Sequence, residues 1–170
     1  YQRSINDNVL YPEMTRHFIY DNWACQTGKG PDKARNRVKK MLRKYYVSHG
    51  TSEGWILQTD VKGYYLNMSH AAVKNNFKEY LPKDVHEMIC DVLDTQYKGE
   101  TGYNPGSQMV QIAGISLLDK TDHYIKEVLH QKYYLRYMDD SMMIAQTKEE
   151  LESVLENLER KMKEVGCILN

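Results

Sequence analysis

Apolar residues recur along this chain in two rhythms, one of three to four residues and one of two, and the change between them divides it into helices and strands. Val9, Leu10, Met14 and Phe18 share one face of a helix over residues 5–18, which Pro12 is expected to kink or break. Behind the loop Gly28-Lys29-Gly30-Pro31, Asp32 is placed to cap a helix running to about residue 48, with Ala34, Val38, Met41, Leu42 and Tyr45 on its buried side. Residues 55–61 read as a strand. Helical spacing returns over 69–80, where Ser69 is a good cap, and over 83–97, where Val85, Met88, Ile89, Val92, Leu93 and Tyr97 follow Pro82. Residues 106–131 predict the longest helix, carrying Met109, Ile112, Ala113, Ser116, Leu117, Tyr124, Ile125 and Val128. Two apolar runs, 132–137 and 141–145, then flank a short polar turn, the pattern of a β-hairpin. A helix over 148–165, with Leu151, Val154, Leu155, Leu158 and Met162 in its stripe, ends at Gly166 before a short strand, 167–169.

From residue 55 the order is strand, helices, hairpin, helix, strand. That order predicts an α+β layer domain, an antiparallel sheet with helices on one face. A loop cluster at 99–106 is the other break in the pattern, and no internal repeat or low-complexity segment is present.

Composition narrows the class. With 41% apolar and 27% charged residues, the 170-residue chain has the make-up of an ordinary globular protein with a real core. Formal net charge is zero, so any nucleic-acid surface must be local. One such segment exists: eight basic residues between Lys29 and Lys44 face the single acid Asp32, whereas 149–164 is rich in glutamate. Cys25, Cys90 and Cys167 are odd in number and far apart, which argues against a disulfide framework or a zinc site and for a reduced compartment. With no membrane span or signal peptide in the pattern, a cytoplasmic location is expected. A start at Tyr1 rather than Met suggests a fragment.

The candidate chemistry lies in the hairpin turn, Tyr137-Met138-Asp139-Asp140. An isolated Asp-Asp is most often a solvated turn, so a third acid decides its meaning. Asp60, at the end of the 55–61 strand, is that acid if the sheet brings the strand end beside the turn. Three hard carboxylates on one edge suit Mg²⁺, which takes its remaining ligands from water and substrate phosphates. A pair of such ions about 3.5–4 Å apart activates an attacking hydroxyl and stabilises a leaving oxygen, so phosphoryl transfer is the expected reaction. None of the six histidines falls in a catalytic spacing.

In order and separation these segments resemble the reverse transcriptase (RNA-directed DNA polymerase) family over nearly the whole chain. Asp60-Val61-Lys62-Gly63-Tyr64-Tyr65 is similar to its first palm motif, Tyr137-Met138-Asp139-Asp140 matches its YxDD motif, and Pro105-Gly106-Ser107-Gln108 with the following helix lies between. Phe18-Ile19-Tyr20-Asp21, Gly28-Lys29-Gly30 and Lys33-Ala34 look like the fingers segment of bacterial reverse transcriptases of the group II intron, retron and diversity-generating kind. The resemblance implies a polymerase palm with an antiparallel, ferredoxin-like sheet over 51–170 and a mainly helical partial fingers region over 1–50, the thumb and N-terminal fingers being absent from the chain. It implies two Mg²⁺ ions, with Mn²⁺ as substitute, held by Asp60, Asp139 and the Val61 carbonyl, with Asp140 supporting. By the same resemblance Tyr65 lies under the sugar of the incoming deoxynucleoside triphosphate and excludes a 2′-hydroxyl. Gly106, Ser107 and Gln108 line the nucleotide pocket; Tyr137 and Met138 meet the primer end; Gln111, Lys29, Lys33 and Arg35 meet the template. The implied partners are an RNA template and a DNA or RNA primer, with no membrane. One departure is Val110-Gln111, where the family commonly has serine before glutamine, which bears on the template contact and leaves the acids untouched.

Two other readings stand beside RNA-templated polymerisation. A template-independent nucleotidyltransferase or a nucleotide cyclase could use a similar two-metal palm; Tyr65 and the turn at Gly106 argue against the cyclase. A non-catalytic nucleic-acid-binding palm is disfavoured because unpaired carboxylates crowded on one edge repel one another.

Overall fold

The computed structural model describes residues 2–170, so only Tyr1, at the head of the 1–50 region, lies outside it. The chain opens with helix α1 (Gln2–Ile5), a π-helical turn (Asn6–Leu10) and α2 (Tyr11–Thr15), running on without a break. Pro12 does not end the helix: the turn before it widens, and the Tyr11 amide donates five residues back to the Asn6 carbonyl.

Helix α3 (Pro31–His49) is the longest in the chain. Its cap is Gly30 with Pro31 in the first position, and Asp32 lies in the first turn rather than at the cap. Strand β1 (Trp55–Thr59) is followed by α4 (Tyr64–Asn67), α5 (His70–Tyr80) and α6 (Lys83–Gln96). As expected, Ser69 caps α5, its hydroxyl accepting from the Ala72 amide.

The helix anticipated over 106–131 is three pieces: α7 (Gln108–Leu117), α8 (Asp119–His123) and a π-helical turn (Tyr124–Val128), with Leu118 out of helical geometry at the first break. Strands β2 (Tyr134–Tyr137) and β3 (Asp140–Ala145) form the hairpin, and α9 (Lys148–Glu164) follows, capped by Thr147. The last expected strand is a single antiparallel bridge, Leu169 to Val61.

The sheet is antiparallel in the order β1-β3-β2, and its register pairs Trp55 with Ala145, Thr59 with Ser141, Tyr134 with Met143 and Tyr137 with Asp140. The fold is thus α+β, as expected, but helices cover both faces rather than one. Alternation sends Tyr134, Met143 and Ala145 into a main core with Leu10, Met14, Phe77, Ile89, Ile115 and Leu158. The opposite positions Tyr133, Leu135, Met142 and Ile144 pack on Ala34, Met41 and Tyr45 of α3 and on Trp23. The first fifty residues therefore contribute to both cores. Among the described residues, no helix is long and apolar enough to cross a membrane.

Candidate active site

The hairpin turn has only Met138 and Asp139 between the paired residues Tyr137 and Asp140. A two-residue turn that follows the twist of its strands needs a positive φ, and Met138 supplies it at +58°. For a residue with a side chain that conformation costs roughly 1–2 kcal/mol, so the surroundings must hold it. On the other strand, the Thr59 and Ser141 hydroxyls meet at 2.6 Å, and the next step of the same register sets Asp60 beside Asp140.

All three predicted acids therefore stand at one end of the sheet. Partial burial pushes the Asp139 carboxyl above the usual range; a backbone hydrogen bond to its own amide pulls the other way, and the charges of Asp140 and Asp60, with a hydrogen bond to Asp60, push it further up. Asp140 is raised too, by burial and then by the Asp60 charge. Asp60 is held from outside the sheet: its Oδ2 accepts from the Asn170 side-chain amide at 2.6 Å and its carbonyl from the Asn170 backbone amide at 2.9 Å.

Hard oxygen donors that repel one another are the donor set a divalent cation relieves, and in that chemistry the site fits Mg²⁺. The Val61 carbonyl is left out of the local bridge, whose hydrogen bonds run from Lys62 to Ile168 and from Asn170 to Asp60. Asp139 feels the charges of both Asp140 and Asp60, and Asp140 that of Asp60. Among the described residues, no three acidic, histidine or cysteine side chains converge as a ready ligand cluster.

The other predicted site residues fall into separate places. A cleft of about 530 Å³ is lined by Asp60, Asp140, Tyr137, Ser141, Val38 and Asn170. Gly106, Ser107 and Gln108 line a different cleft, about 450 Å³, against Arg3 and Asn6. Gln108 and Gln111 line a third, about 440 Å³, with Tyr11, Cys25 and Thr27. Cys25 links that last cleft to the turn, its Sγ lying 3.5 Å from Met138 Sδ.

Tyr65 stands between the acids and α7. Its ring lies so close to Gly114 that a Cβ there would come within 2.9 Å of the Tyr65 hydroxyl and 3.2 Å of the ring, and the neighbouring Tyr64 hydroxyl donates to the Gly114 carbonyl at 2.6 Å. The Tyr65 hydroxyl is buried without a hydrogen-bond partner, and burial, then the charges of Cys25 and Asp139, push its pKa up. Of the basic residues, Lys29 donates to the Tyr20 carbonyl and lies over the Tyr20 and Trp23 rings, Lys33 donates to the Gly28 carbonyl, and Arg35 pairs with Asp32 on the exposed side of α3.

Sequence reasoning missed Arg136, Asp122 and Gly114. Arg136 and Asp122 are both wholly buried and paired at 2.7 Å. The available signal was alternation, because Arg136 shares its side of β2 with Tyr134 and so points into the main core.

Residues 8–170 match the model of the family described as reverse transcriptase (RNA-dependent DNA polymerase). No curated protein sequence matches the chain. Among solved structures, apo telomerase from Candida tropicalis is similar at a TM-score of 0.72 and 14% identity, over 100% of this chain and 36% of that one. The same telomerase truncated from its C-terminal domain gives 0.70 and 17%, over 100% and 39%. Telomerase from Candida albicans, solved with a fragment of telomeric RNA, gives 0.64 and 11%, over 99% and 32%. The chain thus spans 32–39% of the length of these proteins, and at such identities the likeness is one of fold.

Proposed function

The chain belongs to the reverse transcriptase family, and from that premise we propose that the protein carrying it is an RNA-directed DNA polymerase whose nucleotidyl-transfer centre is Asp60, Asp139 and Asp140. The observation that supports this reading is that the strand end carrying Asp60 lies in register with the turn carrying Asp139 and Asp140, two of these acids being raised by burial and by their neighbours' charges. Asp60 and Asp139, with the Val61 carbonyl, would hold two Mg²⁺ ions, Mn²⁺ serving as substitute, and Asp140 would adjoin them. Bound there, the metal supplies positive charge that activates a primer 3′-hydroxyl and stabilises the departing pyrophosphate.

The chain's own residues do the positioning. Tyr65, pinned against Gly114, would lie under the sugar of a deoxynucleoside triphosphate and leave no room for a 2′-hydroxyl. Tyr137 and Met138 would meet the primer end, Gly106, Ser107 and Gln108 the nucleotide, and Gln111 the template. Lys33 and Arg35 stand exposed to meet RNA phosphate, whereas Lys29 reaches it only by leaving its carbonyl contacts. In this reading 1–50 is part of the fingers, 51–170 is the palm, and the protein acts in the cytoplasm. The motifs at 18–21 and 28–30 support a bacterial group II intron, retron or diversity-generating origin.

Extension of a primer by the full-length protein with Mg²⁺ and deoxynucleotides, with and without an RNA template, tests the proposal. Template-dependent product is expected. Product without template would make the protein a terminal transferase, and no product from a folded, RNA-binding protein would make this a non-catalytic palm.

A further inference from the structure

Arg136 is the one charged residue of β2, and it is fully buried. Its guanidinium forms a fork on Asp122, Nε to Oδ1 at 2.8 Å and Nη2 to Oδ2 at 2.7 Å, while the Tyr134 hydroxyl donates to Asp122 Oδ1 at 2.6 Å. Two further donors leave the pair. Nη2 donates to the Ile115 carbonyl at 2.8 Å, in the last turn of α7 before the break at Leu118. Nη1 donates to the Met138 carbonyl at 2.5 Å.

The Met138 carbonyl belongs to the same planar peptide unit as the Asp139 amide. The same plane fixes the Asp139 Cα, from which the carboxylate departs. Arg136 therefore grips one side of a rigid plate whose other side carries an acid of the site. The plate also follows a residue in left-handed backbone, whose side chain meets the Cys25 thiol at 3.5 Å. Packing alone gives no reason for an ion pair here, because apolar side chains of similar volume commonly replace a buried pair without loss of stability.

We propose that Arg136, oriented by Asp122 and Tyr134, is a positioning residue that locks the Met138–Asp139 peptide and thereby aims the Asp139 carboxylate. The inference rests on the polymerase reading for its kinetic consequence but not for its structural one.

Two variants of the full-length protein test it. Arg136→Lys keeps the charge but cannot reach Asp122, Ile115 and Met138 together. A triple variant, Arg136→Met with Asp122→Leu and Tyr134→Phe, removes the network while filling its space, and carries the test if Arg136→Lys does not fold. Folded variants should extend primer at least about tenfold more slowly at saturating nucleotide, with KM within about twofold of the parent, the pattern of a misplaced catalytic group rather than lost binding. In ¹³C-methyl methionine spectra, the Met138 signal should shift or broaden while that of Met41, in the second core, stays in place. A folded triple variant with the parent's rate and an unmoved Met138 signal would overturn the proposal. If the parent itself extends no primer, the polymerase reading fails, and the Met138 signal alone decides the positioning role.

Discussion

Asp119 and Tyr65 are both buried beyond what their polar groups favour, with different consequences. Asp119 is 2% exposed; burial, then the neighbouring Asp122 charge, push its pKa up to about 6, with His123, Arg136 and the Tyr80 hydroxyl pulling it down. A carboxyl raised in the folded state binds its proton more tightly there than in the unfolded chain, so stability falls as pH climbs from about 4 to about 6 and the deficit is complete above that. Asp119→Asn should therefore stabilise the protein at pH 7.5 by roughly 2–3 kcal/mol, less whatever His123 loses with the neighbouring charge, and the gain should vanish below about pH 4. Denaturant melts at pH 4 and pH 7.5 measure it; an equal effect at both would contradict the account. Tyr65→Ala should lower discrimination against ribonucleotides by roughly tenfold or more, worth about 1.4 kcal/mol, in single-nucleotide extension. Unchanged sugar selectivity would remove the gate role.

Contact between α4 and α7 depends on the absence of a side chain at Gly114. Gly114→Ala should push the Tyr65 ring aside, cost about 1–3 kcal/mol in a denaturant melt and change sugar selectivity in the same direction as Tyr65→Ala. Selectivity unchanged in a folded Gly114→Ala protein would detach Tyr65 from α7. Elements whose apolar period is unbroken and whose ends carry a cap or a Pro were legible: Ser69 opens α5, Pro82 precedes α6, and the alternation around Asp139 marks the hairpin. The break at Leu118 was not, because Ile115, Leu117 and Leu118 are all buried and nothing local says that the chain turns there. The Ile115 carbonyl is met by Arg136 from strand β2, a tertiary cause invisible in a helical window. The place of α3 was hidden for the same kind of reason, since a strand period shows that β2 and β3 have two apolar faces only when residues 133, 135, 142 and 144 are set against 134, 143 and 145.

At the scale of the molecule, the two cores hold the sheet from both sides and leave free its far end, where Asp60 and Asp140 line a cleft and Asp139 stands in the adjoining turn. Edge strand β1 leaves Ile56 53% exposed, while β3 is buried along most of its length, so the turn is anchored by the better-packed hairpin. Family, fold and carboxylates converge on that end, and one residue there carries the central claim. The most direct measurement is the rate of RNA-templated primer extension by the full-length protein with Mg²⁺, beside Asp139→Asn, with RNA affinity measured in parallel. The rate should fall at least about a thousandfold, about 4 kcal/mol of lost transition-state stabilisation, with RNA affinity and folding unchanged. An Asp139→Asn protein that extends the primer at the parent's rate would contradict the central claim.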